Sequence, residues 1–470
     1  MDEELNPNEP KIVETDVGAK DGQTKCPKCG STDISVNTKT GKLRCNFCRH
    51  EFEPEKIAGM EENLSQLKGE IVASGTKDIT EDASKGIITL KCTSCGAEVV
   101  VDTAEATSAR CHWCRNVLSI NQQVPNGSVP DVVLPFKLSK KEAQEKIEEF
   151  VNKRKFYANP KFKKEFTTEN IMGVYFPYMI VDVNGHATFS GQGEKEIRSY
   201  TEKHGDNTRT YYDYELYSLD RNFDITISGL TLESNVERLD RSSRNKTNNI
   251  INSIMPFDTE NCAKWDANYL RGFTSEKRDT NVDELKPIIE EQSKDIARNA
   301  ANDTIKQFDR GVHWEIQDFV TKGRQWKSAY LPVWLYSYME KKGGDNLLHY
   351  VAVNARTNET MGSVPIYMPK LLLITAIIEI LGILTYTMFE FEYFWIILIA
   401  GLIYMGAIYS HYRNTGVRNY YEKETQRNVS NVDGRESFIK RVNHSSESRM
   451  YNANNTSVKG SSMGIKRENE

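Results

Sequence analysis

Cys26 to Cys48 reads CPKCGSTDISVNTKTGKLRCNFC, and 66 residues later Cys92 to Cys114 reads CTSCGAEVVVDTAEATSARCHWC. Each stretch holds two Cys-x2-Cys pairs separated by fifteen residues. No other feature restricts the folding of this chain as tightly. Two residues between cysteines allow a tight knuckle that presents both sulfurs to one point. Fifteen residues suit a short β-hairpin that carries the second knuckle across to the first. Gly30 and Gly96 directly follow the first pair of each unit, where such a knuckle turns. The hairpin strands are expected at DISVN and KLRC in the first unit and at AEVVVD and SARC in the second.

Four thiolates at about 2.3 Å suit a tetrahedral zinc ion, so two structural Zn2+ ions are expected. Cys26, Cys29, Cys45 and Cys48 would hold one, and Cys92, Cys95, Cys111 and Cys114 the other. With all four positions filled, neither site is open to a catalytic water. A disulfide framework and an iron–sulfur cluster are the lesser alternatives. The acidic N-terminus, MDEELNPNEPKIVETDVG, has no apolar run of the signal-peptide kind. Cytosolic thiols stay reduced, which favours metal over disulfide. Cys262 stands apart and reads as a small buried thiol on a helix. His50 and His112 adjoin the cysteines but are superfluous as ligands.

Zinc ribbons often bind nucleic acid, and charge bears on that directly. Residues 1–130 hold 15 Lys plus Arg against 20 Asp plus Glu, a net of −5. A surface that neutralises phosphates should carry the opposite excess, so nucleic acid is disfavoured as the main ligand. Phe47 and Trp113 could stack on bases, but packing beneath the hairpin is the commoner use of such rings.

Toward the other end, Leu371 to Tyr409 is apolar apart from Glu379 and a charged tip, EFE, at 390–392. A bilayer core needs about 20 apolar residues per helix, within a range of about 17–25. The runs 371–389 and 393–409 are therefore expected as a transmembrane helical hairpin, a buried soluble hairpin being the alternative. Lys370, Arg413 and Arg418 flank its two ends, while Glu390 and Glu392 mark its tip. The positive-inside rule then places both termini in the cytoplasm and makes the chain a two-pass protein of the cell membrane. Glu379 falls near the centre of the first helix, where a charged acid costs about 2.5–3.5 kcal/mol. Counting from the tip sets it level with Tyr404, and Gly401 and Gly406 allow the helices to approach closely. A protonated Glu379 bonded to Tyr404, within one chain or between two, is expected; an acid tolerated through local water or tilt is the alternative.

The remaining chain divides as follows. Residues 1–22 are expected to be disordered, 23–54 the first ribbon, 55–84 a polar helix-bearing linker and 85–120 the second ribbon. Residues 130–368 form an α+β cytosolic domain, and 412–470 a disordered cytosolic tail. From Arg413 onward, 11 Lys plus Arg stand against 7 Asp plus Glu, a surplus that could touch anionic lipid. Within the α+β region, Ala143, Ile147, Phe150 and Val151 share one helical face. A longer helix, with Pro287 in its first turn, is expected to run to about Phe308 and to turn Ile289, Ile296, Ala300 and Phe308 inward. LPF at 134–136 and MPF at 255–257 each precede a helix and then a Y-x-P strand, an echo that suggests a duplicated α+β unit.

With the ribbons, LPF and MPF, GVYFPYMIVDVNG, YLPVWLYSY and YVAVNARTNETMGSVPI in view, the chain resembles a bacterial family of TFIIB-type zinc-ribbon proteins. The resemblance covers most of residues 22–370. Members often carry primosomal or helicase-like labels, and others look like membrane-stress components encoded beside phage-shock-type and flotillin-like (SPFH) proteins. It therefore implies protein partners of the phage-shock or SPFH type, with an oligomer possible and the oligomeric state left open. The membrane segment departs from relatives that lack one.

No G-x-x-x-x-G-K-[ST] loop occurs, nor do G-x-S-x-G, H-E-x-x-H or G-x-G-x-x-G, so the sequence offers no enzyme motif. The reading that follows is a membrane-anchored zinc-ribbon adaptor whose cytosolic parts gather proteins at the bilayer. A membrane-tethered nucleic-acid binder is the alternative.

Overall fold

The computed structural model describes residues 10–13, 25–31, 33–37, 40, 42–53, 57, 60–76, 87–102, 109–124, 130–204, 207–234, 253–342, 345–389, 394–413 and 424–446. The N-terminal third is built of short strands: β1 (Lys11–Val13), β2 (Ile34–Val36), β3 (Leu43–Cys45), β4 (Glu51–Phe52) and β5 (Gly69–Ala73). Then come β6 (Ile87–Lys91), β7 (Glu98–Asp102), β8 (Gln123–Val124) and β9 (Val132–Val133). Helix α1 (Lys140–Asn152) starts in a capping box. The Ser139 hydroxyl accepts from the Glu142 backbone N–H, and the Glu142 carboxylate accepts from that of Ser139. The expected face, Ala143, Ile147, Phe150 and Val151, is buried.

A short α2 (Pro160–Glu165) leads into two long strands, β10 (Met172–His204) and β11 (Asn207–Glu233). After β12 (Ala263–Lys264) and β13 (Thr274–Glu276), α3 (Val282–Asp303) precedes the long β14 (Val312–Lys342), then β15 (Asp345–Asn354) and β16 (Thr360–Gly362). The α3 helix begins five residues before Pro287, with Asp283 and Glu284 in its first turn to complement the helix dipole. Its expected inward residues, Ile289, Ile296 and Ala300, are buried, as is Phe308 beyond its end. Two apolar helices, α4 (Met368–Phe389) and α5 (Phe394–Arg413), and a last strand, β17 (Gln426–Ser446), complete the chain.

Fourteen strands form one hydrogen-bonded network in the order β1-β5-β14-β10-β13-β7-β6-β8, with β11, β17, β15, β16, β9 and β12 branching from it. β2, β3 and β4 make a separate three-stranded sheet. The chain divides into two compact units. The first holds residues 1–187, 223–297 and 319–431, and the second holds 188–222, 298–318 and 432–470.

In the first unit the central strands are apolar on both faces. Along β10, Tyr175 joins one hydrophobic core while Val174, Phe176, Tyr178 and Ile180 join another. Along β14, Tyr330, Trp334 and Tyr336 join the first core and Leu331, Val333 and Leu335 the second. Successive side chains of a strand point to opposite faces, so these are the two sides of one sheet. Helix α1 covers the first side through Ile147 and Phe150. Each large ring buried there contributes about 1.5–3 kcal/mol.

The second unit is smaller. Gly191 lies where a Cβ would come 2.2 Å from the His313 carbonyl oxygen, so only glycine allows these strands to approach. Phe189 packs on Trp314 at 5.5 Å between ring centroids, and Tyr217 contacts both Phe308 and Phe438. The buried Arg221 donates to Glu436 at 2.7 Å and to the Thr304 hydroxyl at 3.0 Å.

Three polar segments differ from expectation. Residues 426–446, expected within a disordered tail, form β17 and pair with β11. The linker at 55–84 holds no α-helix among its described residues; it supplies β5, which pairs in parallel with β14 from Gly69 to Val72. Lys11–Val13, within the segment expected to be disordered, pairs in parallel with β5. In each case the partner strand lies far away in sequence and provides the hydrogen bonds that local composition does not advertise.

Candidate metal centres and the apolar helix pair

Each quartet of cysteines converges. In the first, Cys26 and Cys48 Sγ lie 3.6 Å apart, as do Cys29 and Cys45. In the second, Cys92 to Cys114 is 3.4 Å and Cys95 to Cys111 is 3.6 Å. Within each quartet all four sulfurs fall within 4.8 Å of one another. A disulfide would need about 2.05 Å. A tetrahedron with bonds of about 2.3 Å has sulfur–sulfur edges of about 3.8 Å, close to what is seen. The chain thus holds two four-cysteine clusters able to take a metal ion, and the soft all-thiolate donor set makes zinc plausible.

The knuckles repeat one backbone device four times. The N–H of the residue after each pair donates to the carbonyl of its first cysteine: Gly30 to Cys26, Arg49 to Cys45, Gly96 to Cys92 and Arg115 to Cys111, at 2.8–2.9 Å. The N–H of each first cysteine donates to the carbonyl five residues on, in Ser31, His50, Ala97 and Asn116, at the same distances. The turn demands positive φ at the closing residue, 74° at Gly30 and 81° at Gly96. At Arg49 and Arg115 the same conformation is held by arginine, at φ 62° and 61°. Sequence reasoning found the two glycines and missed the arginines, because only glycine advertises that backbone region.

The thiols are set up unequally. Backbone N–H groups of Cys48 and Phe47 hold the Cys45 thiol down to about 6. Hydrogen bonding from Cys111 holds Cys95 down to about 5, and the same contact, with burial, pushes Cys111 up. Cys262 lies at the end of a short 3-10 turn, and burial pushes its thiol up to about 12. It is no part of either cluster.

The two clusters sit in different surroundings. Ribbon 1 keeps its own sheet, with Ile34 paired to Cys45 and Val36 to Leu43, as expected from DISVN and KLRC. Its Ile34 and Leu43 join the core on the α1 side, and Arg271 reaches Asp33 at 2.6 Å. The Phe47 ring at its second knuckle is 80% exposed.

Ribbon 2 is part of the large sheet. β6 and β7 pair from Ile87–Asp102 to Lys91–Glu98, and β7 also pairs with β13. The expected strand at SARC reduces to a single bridge, Arg110 with Val117. Cys92, Cys111 and Trp113 belong to the opposite core, and the Trp113 indole N–H donates to Glu276 at 2.9 Å. The Ser337 hydroxyl donates to the His112 carbonyl at 2.7 Å. Arg115 stacks on Tyr336 at 4.4 Å and borders a cavity of about 520 Å³ whose other charged linings are Arg110, Lys140 and Glu169.

Among the described residues one helix is long and apolar enough to cross a membrane, by length and composition: the stretch Met368–Thr385 of α4. Helix α5 packs beside it. The tip at 390–392 lies outside the described residues. The structure does not join Glu379 to Tyr404. Gly401 lies against Glu379 instead, so close that a Cβ there would come 2.7 Å from Glu379 Cγ. Gly406 faces open space. Tyr404 instead shares a hydrogen bond of 2.6 Å with the Tyr157 hydroxyl, from the segment after α1.

No family model matches the chain, and no solved structure matches it. A Bacillus subtilis (strain 168) protein described as "Uncharacterized protein YdjG" is 25% identical to it over 344 residues, a match that covers 73% of this chain and 89% of that protein.

Proposed function

We propose that this protein is a membrane-anchored zinc-ribbon scaffold. In this reading α4 and α5 span the bilayer as a hairpin, both ends lie in the cytoplasm, and each four-cysteine cluster holds one structural Zn2+. The observation that carries it is the bare apolar surface of the helix pair. Leu372, Leu373, Ile377, Ile380, Leu381 and Leu384 on α4, with Leu402 and Ile403 on α5, are each more than half exposed or nearly so, up to 62% at Leu373. A soluble protein rarely leaves so large a contiguous apolar patch uncovered. The resemblance to zinc-ribbon proteins encoded beside phage-shock and SPFH proteins supports membrane-stress partners. The exposed Phe47 beside the first metal cluster is the kind of aromatic anchor such a partner would cover.

The test is a photoreactive amino acid at position 47 of the full-length protein in intact membranes. Crosslinks to a discrete protein support the scaffold, while crosslinks to nucleic acid move the assignment to a tethered nucleic-acid binder. Recovery of the protein in the carbonate-soluble fraction overturns the membrane reading altogether.

A further inference from the structure

From the end of α1 into α2, residues 153–164 read KRKFYANPKFKK, six cations without one acid. Two of the six are engaged. Arg154 donates its Nε to the His411 carbonyl at 3.1 Å and lies over the Phe150 ring, while Lys153 pairs with Glu149 at 2.7 Å. Lys155, Lys161, Lys163 and Lys164 are exposed, and among the described residues no ion pair engages them. Phe156, in the same turn, is 59% exposed.

What gives this corner meaning is where the apolar helices fix it. Lys370, in the first turn of α4, donates to the Phe156 carbonyl at 2.9 Å and sits 3.5 Å from the centre of its ring. Tyr157 bonds Tyr404 through its hydroxyl, and its backbone N–H donates to the Tyr412 hydroxyl at 3.0 Å. The corner is thus pinned to the start of α4 and, through Tyr412, to the end of α5, while the Tyr157 side chain reaches Tyr404 about two turns further along that helix. The Lys163 ammonium is drawn below its usual value, first by partial desolvation and then by the charges of Lys370 and Lys155. Lys163 thus feels the charges of both Lys370 and Lys155.

We infer that residues 153–164, with Lys370, form a docking surface for anionic lipid headgroups, with Phe156 entering the interface. The inference rests on the reading that α4 crosses a bilayer. Given that, the corner stands at the level where the helix enters, and a cluster of lysines at that level attracts anionic lipid by about 1 kcal/mol each, or about five-fold in affinity. An aromatic ring among them suits headgroup depth. The repulsion of Lys163 by Lys155 and Lys370 is relieved when lipid phosphates and carboxylates come between them.

The full-length protein, extracted in mild detergent and mixed with equal amounts of phosphatidylserine and phosphatidylcholine, is to be read by native mass spectrometry for retained lipid. Wild type should retain phosphatidylserine preferentially. The triple variant Lys155→Gln, Lys163→Gln, Lys164→Gln should lose about five-fold of that preference per lysine, and the matching triple arginine variant should keep it. A glutamine variant with undiminished preference overturns the inference, as does a wild type with none. Carbonate extraction of both proteins separates the two readings. Membrane-retained protein without lipid preference sinks only this inference, whereas soluble protein sinks the membrane reading with it.

Discussion

The hydroxyls of Tyr157 and Tyr404 lie 2.6 Å apart, although 247 residues separate them in the chain. One follows helix α1 of the α+β unit and the other lies midway along the second apolar helix. Their bond therefore couples the two. Replacing either with Phe should destabilise the protein by about 0.5–1.5 kcal/mol. The double variant should cost little more than either alone, because one interaction is lost in each case. Strict additivity in a double-mutant cycle would show that the contact carries no energy.

Freshly purified protein should contain two zinc ions per chain by metal analysis. Cys29→Ser should halve that content and unfold residues 26–48 while leaving the large sheet intact, since ribbon 1 has its own sheet. Cys95→Ser should do wider damage, because β7 pairs with both β6 and β13. Hydrogen exchange across residues 87–102 and 274–276 distinguishes the two variants. Equal, local effects from both would refute the asymmetry.

Arg49 holds a left-handed conformation at φ 62° that costs a non-glycine residue about 1–2 kcal/mol. Arg49→Gly should recover up to about 1 kcal/mol of ribbon 1 stability, offset partly by the greater freedom of the unfolded chain. Gly30→Ala should lose a similar amount. Zinc affinity measured by chelator competition should move in these opposite directions.

Asp224 accepts from Lys322 and from His186, each at 2.6 Å, and from Asn431 at 3.2 Å. These contacts, Lys322 foremost, hold its carboxyl down to about 2. A carboxylate whose folded value is depressed stabilises above its unfolded value near 4, and that stabilisation is lost as pH falls toward 2. Asp224→Asn should therefore flatten the fall in stability between about pH 4 and pH 2, as read by denaturant titration at each pH. A variant with the wild-type acid limb would show that other carboxylates dominate.

The cysteine clusters are legible in the sequence because their ligands lie within 23 residues of one another, where spacing alone dictates geometry. The buried face of α1 is legible for the same reason, through its 3.6-residue period. Legibility fails where the partner lies far off. Nothing in Gln426–Ser446 alternates apolar and polar residues, yet β11 pairs with it. Counting along two helices matches Tyr404 to Glu379, a procedure blind to Tyr157 and to the close approach of Gly401 to the Glu379 side chain. The basic corner at 153–164 is visible as charge, but its place beside Lys370 follows only from folding.

The pairing of β17 with β11 also orders events during synthesis. Glu233 ends β11, but Ser446 must be translated before the partner strand exists, 213 residues later. At ordinary elongation speeds that interval is about 10–40 s. Both apolar helices emerge within it. Until β17 is made, the outer edge of β11 is a row of unsatisfied amides and carbonyls open to any passing strand. A ribosome stalled in this window should yield chains that aggregate through that edge.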